Sequence, residues 1–364
     1  MKLCLIHNFA QHYRSEIFQR LDQEYDCDFY FGDSYLDVKK MDYRLLHGKV
    51  KEIHNSCFGP IIYQHGVIPL ARQYDTILMN GDLHSLSTWL LLIYAKLIGH
   101  KRIYFWNHGW YGKESIGQAL IKRLFYAMAA GIFVYSHYAK NLMIKHGISE
   151  DKLYVIHNSL SYTKQLEVRR ELENSSVFRD YFKNEGYNLI FVGRLTRVKN
   201  LIMLLEILQL DKNKAYHLTF VGDGEMTREL KQQTLQKGLT ERVWFYGPCY
   251  EEKTLGQLLY NADICIAPGN VGLTAMHAMV YGCPVMTHNN FKWQMPEFEA
   301  IKEGVTGCFF QRNNINSLSD QLYKWFVAKR EKRDEVRKAC MEEIDRNWTP
   351  DFQIKVIKEY LKFN

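Results

Sequence analysis

The sequence has no apolar run long enough to cross a lipid bilayer. The longest, WLLLIYAKLI from Trp89 to Ile98, is interrupted by Lys96, and a membrane-spanning helix needs about 20 residues. The N-terminus, MKLCLIHNFA, has no extended hydrophobic region and no small-residue cleavage site, so it is typical of a first β-strand and not of a signal peptide. We therefore expect a protein of the cytoplasm.

Cysteine pairs at the spacing of a metal site or a redox motif are also absent. The eight cysteines lie at positions 4, 27, 57, 249, 265, 283, 308 and 340. Most fall inside apolar runs, where cysteine behaves as a small hydrophobic residue. We expect neither a disulfide framework nor a zinc site.

Two common phosphate-binding signatures, GxGxxG and GxxxxGK[ST], do not occur, and no solenoid repeat or low-complexity tract is present. These absences disfavour the commoner α/β nucleotide-binding proteins and the repeat architectures. The composition, with 47% hydrophobic and 24% charged residues, is that of a globular protein. At 364 residues the chain is long enough for two α/β domains.

Short apolar runs alternate with helix-like segments along the chain. From Phe191 to Phe310 these runs end in Gly, Pro or Asn, and a helix-like pattern follows each. This alternation predicts parallel sheets with crossover helices, and hence an α/β protein with doubly wound domains. The predicted strands are residues 3–7, 27–31, 76–80, 102–107, 132–136 and 153–158 in the first half, and 189–193, 218–222, 243–247, 264–268, 284–288 and 307–310 in the second.

We predict two domains of similar size with a helical tail. The predicted divisions are an N-terminal domain over 1–165, a connector over 166–188, a C-terminal domain over 189–330 and helices over 331–364. Thr349 as N-cap and Pro350 at the first helical position mark the start of the last helix. We expect this helix to pack back on the N-terminal domain.

The positive charge is concentrated in one part of the chain. The formal net charge is +7, yet residues 1–95 hold 9 basic and 11 acidic residues, whereas residues 96–170 hold 12 basic and 4 acidic ones. The basic residues stand among aromatic and aliphatic ones, as in KESIGQALIKRLFYAMAAG. A surface for anionic lipid headgroups or for an anionic acceptor would have this composition. A solvated helix face of mixed lysines would have it too.

Two basic side chains and a glycine-rich turn indicate a diphosphate ligand. The run GRLTRVK follows a predicted strand and contains Arg194 and Lys199, which can supply the charge-assisted hydrogen bonds that a pyrophosphate needs. The turn from Gly269 to Thr274 opens another helix-like segment, whose amides and helix dipole would face an anion. Because open α/β sheets place ligands at the carboxyl ends of their strands, we expect both features at one site.

Polar residues also follow the predicted strands of the first half, and His108 is the candidate for a substrate contact there. It stands in FWNHG, directly after strand 102–107, and His7 and His84 follow two other strands. Such strand ends border one crevice in an open parallel sheet. A lone histidine is more often a packed side chain, so it is the agreement of several strand ends that favours a contact by His108.

Taken in order, these motifs resemble those of the family 4 glycosyltransferases. The resemblance rests on FVGRL-x3-K, FVGDG, NADICIAP, GLTAMHAMVYGCPV and E-x-I-x-x-G-x-TG across residues 189–310, and more loosely on FWNHG in the first domain. Family members are retaining enzymes with two Rossmann-like domains facing a central cleft, the GT-B fold. The start QHYRSEIFQRL is similar to that of members that act on bacterial surface polysaccharides.

The resemblance implies roles for particular residues. It implies that Arg194 and Lys199 hold the diphosphate of a donor sugar and that His108 touches the transferred sugar. The residues implied to bind the donor are Gly193, Arg194, Lys199, Pro248, Cys249, Tyr250, Gly272, Leu273, Thr274, His277 and Glu299.

Within that set, residues 248–250 are expected to flank the base, and the amides of residues 272–274 to assist at the phosphates. Glu299 matches the glutamate that precedes the I-x-x-G-x-TG run. The family needs no metal, because basic side chains and helix ends take the role of a divalent cation. The resemblance therefore implies no cofactor, only a UDP- or GDP-linked donor substrate.

The sequence departs from the family at two positions. The family usually carries two glutamates eight residues apart, and the corresponding residues here are Gly269 and His277. The second glutamate normally binds the ribose, and His277 can still offer one hydrogen bond there, unless it is a packed helix residue. The first normally contacts the donor sugar, which Gly269 cannot do. Either Asn270 or another residue substitutes, or the donor sugar is held differently.

The function implied is transfer of a hexose or related sugar, with retention, from a nucleotide-diphosphate sugar to a glycan or lipid-linked acceptor. The setting would be bacterial capsule, O-antigen or exopolysaccharide synthesis, in the cytoplasm or at the inner face of the plasma membrane, which the basic region 96–170 would contact. No nucleic-acid partner is expected.

Two other functions compete with this one. The first is a catalytically silent donor- or glycan-binding subunit of a polysaccharide assembly complex, which the two missing glutamates suggest and the intact Arg194 and Lys199 disfavour. The second is a sugar-nucleotide epimerase of the same fold, which the lack of its acidic catalytic residues in the first domain disfavours.

Overall fold

The chain divides into two units, each built on its own parallel β-sheet. The computed structural model describes residues 2–33, 39–213, 215–329 and 331–362. Unit 1 comprises Met1–Tyr162 together with Thr349–Asn364, and unit 2 comprises Thr163–Trp348. Two Rossmann-like halves of mixed α/β structure confirm the predicted fold class.

In the described residues, unit 1 has a seven-stranded parallel sheet and a two-stranded hairpin. Its strands are β1 (Lys2–His7), β2 (Asp26–Gly32), β3 (Val50–Ile53), β4 (Asn55–Phe58), β5 (Ile61–Gln64), β6 (Thr76–Met79), β7 (Arg102–Asn107), β8 (Gly131–Val134) and β9 (Leu153–Val155). The sheet order is β3-β2-β1-β6-β7-β8-β9, and β4 and β5 pair antiparallel. The order reverses between β1 and β6, so their carboxyl ends form the topological switch point of this sheet.

The helices of unit 1 bury apolar residues on both faces of this sheet. The first five are α1 (Ser15–Glu24), α2 (Val67–Gln73), α3 (Leu86–Ile98), α4 (Ile116–Ala127) and α5 (His137–Lys145). Residues of α2 to α5 share one core with the sheet, and α1 contributes to the other. Ser115 and Gln118 form a capping box at the start of α4, and Gly99, with φ of 84°, ends α3.

In unit 2 the described strands form a six-stranded parallel sheet. They are β10 (Tyr187–Val192), β11 (Tyr216–Val221), β12 (Val243–Gly247), β13 (Ile264–Ala267), β14 (Val285–His288) and β15 (Gly307–Phe310). The sheet order is β12-β11-β10-β13-β14-β15. The switch point therefore lies between β10 and β13, where the predicted diphosphate-binding residues follow the two strands.

The helices of unit 2 include one that lies within the segment 166–188 and one that ends in it, and this segment was predicted to be a connector. The eight helices, within the described residues, are α6 (Tyr162–Arg170), α7 (Val177–Phe182), α8 (Ile202–Leu210), α9 (Thr227–Gln236), α10 (Glu252–Asn261), α11 (Thr274–Val280), α12 (Ile315–Lys329) and α13 (Arg333–Asn347). Phe182 is buried and stacks on His217 of β11, with ring centroids 4.3 Å apart. The segment is thus part of unit 2, because its few aromatic residues pack on the sheet despite its polar composition.

The last helix, α14 (Pro350–Tyr360), belongs to unit 1, whereas α13 belongs to unit 2. The Thr349 side chain caps α14 by accepting from the amide of Phe352 at 3.1 Å. Inside unit 1, the buried Gln353 donates to the carbonyl of His157 at 2.8 Å and accepts from the Ser159 hydroxyl at 2.6 Å. The predicted tail 331–364 is therefore divided between the units at residue 349.

No helix in the described part of the chain is long and apolar enough to cross a membrane. The eight cysteines all lie within it and are free thiols.

Candidate active site

The basic loop after β10 meets the glycine-rich turn after β13 at the switch point of unit 2. The Lys199 ammonium donates to both the carbonyl oxygen and the side-chain Oδ1 of Asn270, each at 2.7 Å. On the same edge of the sheet, Gly193 and Arg194 directly follow β10. The structure therefore brings the two halves of the predicted phosphate site together, and it adds Asn270 as the residue that holds Lys199.

Gly269 lies directly against the backbone of the basic loop. Its amide donates to the carbonyl of Lys199 at 2.9 Å. A Cβ atom at position 269 would lie 2.1 Å from the Val198 carbonyl oxygen and 2.7 Å from the Lys199 Cα atom. No side chain fits there, which explains why the glutamate usual in the family has no counterpart at this position.

A glutamine that the sequence patterns did not single out fixes the glycine-rich turn. The buried Gln294 accepts from the amide of Val271 at 2.9 Å. Its own amide group donates to the Thr287 hydroxyl at 2.8 Å and to the His288 carbonyl at 3.0 Å. Gln294 thereby ties the turn to the end of β14 with three hydrogen bonds. No motif contains it, so only its place in the fold shows this role.

The start of α11 is tied to the end of β10. The hydroxyl of Thr274, the first residue of α11, donates to the carbonyl of Val192 at 2.8 Å. Gly193 follows Val192, and a Cβ atom built on it would lie 3.5 Å from the Thr274 hydroxyl. Gly272 has φ of 53°, which favours glycine, and Leu273 is the N-cap residue of α11. Residues 272–274 thus lie at the edge of the sheet where Arg194 begins its loop.

The electrostatics of this site centre on Lys199. Burial lowers the pKa of Lys199 to about 8, the charge of Glu297 opposes this, and the charge of Arg194 lowers the pKa further. Arg194 itself is exposed. Two cations and a buried carboxylate therefore lie within electrostatic reach of one another, and an arriving dianion would favour the protonated form of Lys199.

The buried acid near Lys199 is Glu297, which the sequence patterns did not single out. Glu297 is 2% exposed and lies in a short 3-10 helix, Pro296–Ala300. Glu299 is half-buried, and its backbone carbonyl accepts from the Lys302 ammonium at 2.9 Å. Glu299 was predicted as a donor-binding residue from its motif, whereas Glu297 is the carboxylate whose charge acts on Lys199.

His277, on α11, belongs to a hydrogen-bonded group of side chains from three helices. The Gln165 side-chain amide donates to His277 Nδ1 at 3.3 Å and to Glu252 Oε1 at 3.2 Å. The Tyr281 hydroxyl donates to the same carboxylate oxygen at 2.6 Å, and His277 Nδ1 lies 4.0 Å from it. Glu252 thus places a carboxylate beside the position where the family usually has its second glutamate, and the sequence patterns missed it because it comes from α10.

The predicted base-flanking residues lie further along the same edge of the sheet. Pro248, Cys249 and Tyr250 follow β12, which is separated from β10 by β11. Tyr250 is 92% exposed, so its ring is free to stack on a flat ligand. The Cys249 thiol donates to the Glu251 carbonyl at 3.6 Å.

In unit 1, His108 lies at the end of β7 beside a buried arginine. Its ring centroid is 4.9 Å from that of Tyr135. The Arg14 guanidinium donates to the Tyr135 hydroxyl and lies 5.4 Å and 5.3 Å from the ring centroids of Trp106 and Tyr135. Burial, and after it the charge of Arg14, lowers the pKa of His108 to about 4. His108 is therefore a neutral imidazole at neutral pH, and Arg14 is a neighbour that the sequence did not reveal.

Other strand ends of unit 1 are joined to one another by polar side chains. Asn80, after β6, accepts from the amide of Asn8 at 2.6 Å and contacts His7 Nε2 at 3.1 Å. Asn107, the last residue of β7, donates to the Gly81 carbonyl at 3.0 Å. His84, by contrast, lies beside Asp82 with its side chain exposed. Of the three candidate histidines, His7 and His108 are thus held in the framework of the sheet edge.

Two family models match the two units. Residues 44–163 match the model described as Glycosyltransferase Family 4, and residues 175–342 match the model described as Glycosyl transferases group 1. Together the matches cover most of the chain, and their boundary falls close to the division between the units. The chain is therefore a glycosyltransferase with the two Rossmann-like halves of the GT-B class. It belongs to the family 4 type, as the resemblance predicted.

Solved structures of similar fold cover nearly the whole chain. A glycosyltransferase from Rickettsia africae is 15% identical with a TM-score of 0.76, covering 100% of this chain and 99% of that one. HepE from Anabaena in complex with UDP is 16% identical with a TM-score of 0.74, and the apo lipopolysaccharide outer core galactosyltransferase WaaB is 17% identical with a TM-score of 0.71. Both cover 99% of each chain. At these identities the similarity concerns the fold.

One curated relative is described by its place in a cps region. An uncharacterized 41.2 kDa protein in the cps region of Klebsiella pneumoniae is 24% identical over 250 residues, which is 66% of this chain. The match spans 64% of the length of that relative, which is less than two thirds.

Proposed function

We propose that the chain transfers a sugar, with retention, from a nucleotide-diphosphate sugar to a glycan or lipid-linked acceptor of a bacterial surface polysaccharide. The observation that carries this proposal is the junction of Lys199 and Asn270 at the switch point of unit 2, beside Arg194. The similar structures include one bound to UDP and one of a lipopolysaccharide galactosyltransferase, and the Klebsiella relative is from a cps region. These names support a surface-polysaccharide setting.

In the proposed reaction the bond between the sugar C1 and the β-phosphate oxygen breaks, and the electron pair stays on that oxygen. The acceptor hydroxyl attacks C1 from the same face, and its proton passes to the departing phosphate. Arg194 and Lys199 stabilise the developing charge on the diphosphate, which is the term that such preorganised cations supply in a transition state. His108, neutral at working pH, contacts the transferred sugar.

Lys199 would change partners when the donor binds. Its ammonium donates to Asn270 Oδ1 at 2.7 Å. A diphosphate is a stronger partner for an ammonium than a neutral amide is. If the Lys199 ammonium donated to the phosphate instead of to Asn270, the Asn270 side chain would be available to the donor sugar. Gly269 offers no carboxylate for that sugar. Asn270 is therefore the proposed substitute for the first glutamate.

The remaining contacts follow from the arrangement of unit 2. His277, with Glu252 behind it, would bind the ribose, and residues 248–250 would flank the base. The amides of residues 272–274 and the side chain of Glu299 complete the proposed donor site. Basic side chains would neutralise the diphosphate without a metal. Peripheral contact of the region 96–170 with the inner face of the plasma membrane is part of the same proposal.

Titration of the full chain with UDP and with GDP tests this function first, followed by a panel of nucleotide sugars. We expect one nucleoside diphosphate to bind and one donor to be hydrolysed slowly or transferred, and the product anomer to show retention. Lys199→Ala should abolish turnover. Lys237→Ala, which removes a half-buried lysine whose ammonium donates to Gln209, should leave turnover unchanged.

Two other outcomes would contradict the proposal. Failure to bind any nucleoside diphosphate would exclude a glycosyl donor site altogether. Nucleotide binding without turnover on any lipid-linked acceptor would favour the silent-subunit alternative, for which the missing carboxylate at position 269 is the motivating observation.

A further inference from the structure

The outer surface of unit 1 carries two stripes of exposed apolar side chains. On α3, Leu86, Leu90, Ile93 and Leu97 recur at helical spacing on the side opposite the buried residues, and Leu97 is 81% exposed. On α4, the stripe consists of Ile116, Leu120 and Leu124, which are 92%, 68% and 60% exposed.

The two helices belong to one layer of the fold. The buried sides of α3 and α4 share a core on the same face of the sheet, and the rings of Trp89 and Phe125 lie 4.9 Å apart between the helices. Because both helices turn their buried sides toward this sheet, both apolar stripes point away from it.

The β4–β5 hairpin extends this apolar surface. Its tip exposes Phe58 and Ile61, and the amide of Ile62 donates to the His84 carbonyl at 2.9 Å just before α3 begins. We call the exposed apolar residues of the hairpin tip, α3 and α4 the α3–α4 face. It holds more than half of the exposed large apolar side chains in the described residues, whereas those of unit 2 are scattered over many elements.

Positive charge surrounds the α3–α4 face. Residues 86–131 contain six basic residues and one acidic residue, Glu114. Glu114 is paired with Lys122 at 2.6 Å, whereas Lys96, Lys113 and Arg123 are exposed. An exposed apolar patch flanked by unbalanced positive charge combines the two features that bind a helix layer to an anionic lipid surface.

We propose that the α3–α4 face docks the chain on an anionic lipid bilayer, with its leucine, isoleucine and phenylalanine side chains entering the boundary between headgroups and acyl chains. The helices are 13 and 12 residues long, so they would lie in the plane of the interface. The proposal rests on the proposed function, because a lipid-linked acceptor requires the enzyme at a membrane surface. Under this proposal, insertion of apolar side chains contributes most to membrane binding, and the positive charge of the region 96–170 does not act alone.

The same charge argues against a second copy of the chain as the occupant. A two-fold contact through this face would bring Lys96, Lys113 and Arg123 of both copies together, where like charges repel. An anionic bilayer instead pairs these cations with phosphate groups, which attract them.

Flotation of the full chain with vesicles tests this proposal. The vesicles consist of phosphatidylcholine alone or of phosphatidylcholine and phosphatidylglycerol in equal parts. We expect the chain to bind the anionic vesicles and to stay partly bound at high salt, because apolar insertion is not screened. The triple variant Ile116→Ser, Leu120→Ser and Leu124→Ser should partition at least about tenfold less.

A matched triple variant in unit 2, Leu210→Ser, Leu235→Ser and Val327→Ser, removes three similarly exposed apolar side chains and should bind vesicles like the natural chain. Equal vesicle binding by both triple variants, or no binding by the natural chain, would overturn the proposal. The proposal would also be overturned if the natural chain formed a dimer in solution without vesicles and the α4 variant alone were monomeric.

Nucleotide titration of the same variants separates this proposal from the function it rests on. The α4 variant should bind UDP or GDP as the natural chain does, since its changes lie in unit 1 and the residues proposed to bind the nucleotide belong to unit 2. Vesicle binding without nucleotide binding would contradict the proposed function and leave the docking surface standing. Nucleotide binding without vesicle binding would contradict the docking surface and leave the proposed function standing.

Discussion

The backbone of Gly269 lies against that of Lys199, with a hydrogen bond of 2.9 Å from the amide of one to the carbonyl of the other. The glycine-rich turn and the basic loop are thus one packed structure, and the absence of a side chain at position 269 is a condition for it. The family's glutamate and this loop conformation exclude each other. A change at Gly269 should therefore act through Lys199.

We predict that Gly269→Ala destabilises the fold by about 1–3 kcal/mol, because its Cβ atom would meet the backbone of residues 198 and 199. Gly269→Glu should not raise turnover, even though it restores the usual family residue. Thermal unfolding and nucleotide titration measure the two effects. Gly117→Ala is the control, since Gly117 is in helix α4 with open space at its Cβ position, and it should be neutral or stabilising. A Gly269→Glu variant with higher activity would contradict the packing described here.

The lowered pKa of Lys199 predicts that nucleoside diphosphate binding takes up protons above pH 8. In the folded chain the Lys199 ammonium has a pKa of about 8. A dianion bound next to it favours the charged form and raises this pKa. Calorimetric titrations in buffers of different ionisation enthalpy would report the uptake near pH 9 and little of it near pH 7. In Lys199→Met the uptake should vanish and binding should weaken. Equal uptake in that variant would assign the proton to another group.

The lowered pKa of Lys199 also predicts how the free energy of unfolding changes at alkaline pH. Between pH 8 and 10.5 the folded chain has lost the Lys199 proton while the unfolded chain still holds it. Because the unfolded state then binds more protons, stability contributed by this group rises with pH, by at most about 1.4 kcal/mol per unit. Urea unfolding of the natural chain and of Lys199→Met across this range should differ in slope, and parallel curves would refute the prediction.

Acid should weaken the fold through buried histidines. Burial, together with Arg14, lowers the pKa of His7 to about 3 and that of His108 to about 4. In the unfolded chain both histidines bind a proton below pH 6.5, so the unfolded state takes up protons before the folded state does. The free energy of unfolding therefore falls as the pH drops from 6.5 toward 4. Arg14→Met should raise both pKa values, as measured by NMR titration of the imidazoles. Unchanged imidazole titration would show that Arg14 has no electrostatic role there.

Gln294→Ala should lower both stability and nucleotide affinity. It leaves the Val271 amide without its acceptor and takes one donor from the Thr287 hydroxyl, which still donates to the Ala267 carbonyl at 2.7 Å. A buried polar group left unsatisfied costs about 1–3 kcal/mol. Gln294→Glu keeps the acceptor for Val271 but loses both donors, so it should fall between the natural chain and the alanine variant. Gln233→Ala, on the surface helix α9, provides a control for loss of a glutamine. Full affinity in Gln294→Ala would show that the turn is held without it.

The sequence predicted every described parallel strand of the two sheets except β3, because parallel strands buried on both faces are nearly continuous apolar runs. It missed β3 and the β4–β5 hairpin, whose residues, such as Lys51, Glu52 and Asn55, are polar and lie at the edge of the sheet or outside it. It also placed the helices of 166–188 in a connector, because their buried aromatic residues are few.

For the site, chain spacing identified Arg194 and Lys199, which lie next to each other in one loop. It did not identify Gln294, Glu252 or Arg14, which reach their partners from 23 to 121 residues away. Glu297, whose charge acts on Lys199, was not singled out either. Local motifs thus pointed to the residues of the predicted phosphate site, and long-range packing decides which side chains support them.

Because α14 belongs to unit 1, the two units become complete in a fixed order while the ribosome makes the chain. Unit 2 is one continuous segment that is complete at Trp348, whereas unit 1 still lacks the helix that covers α1 and β9. The first unit to be made is thus the last that can be completed. Until residues 350–360 leave the ribosome, the apolar surface that Ile354 and Ile357 will cover stays open, and unit 2 can fold in the meantime.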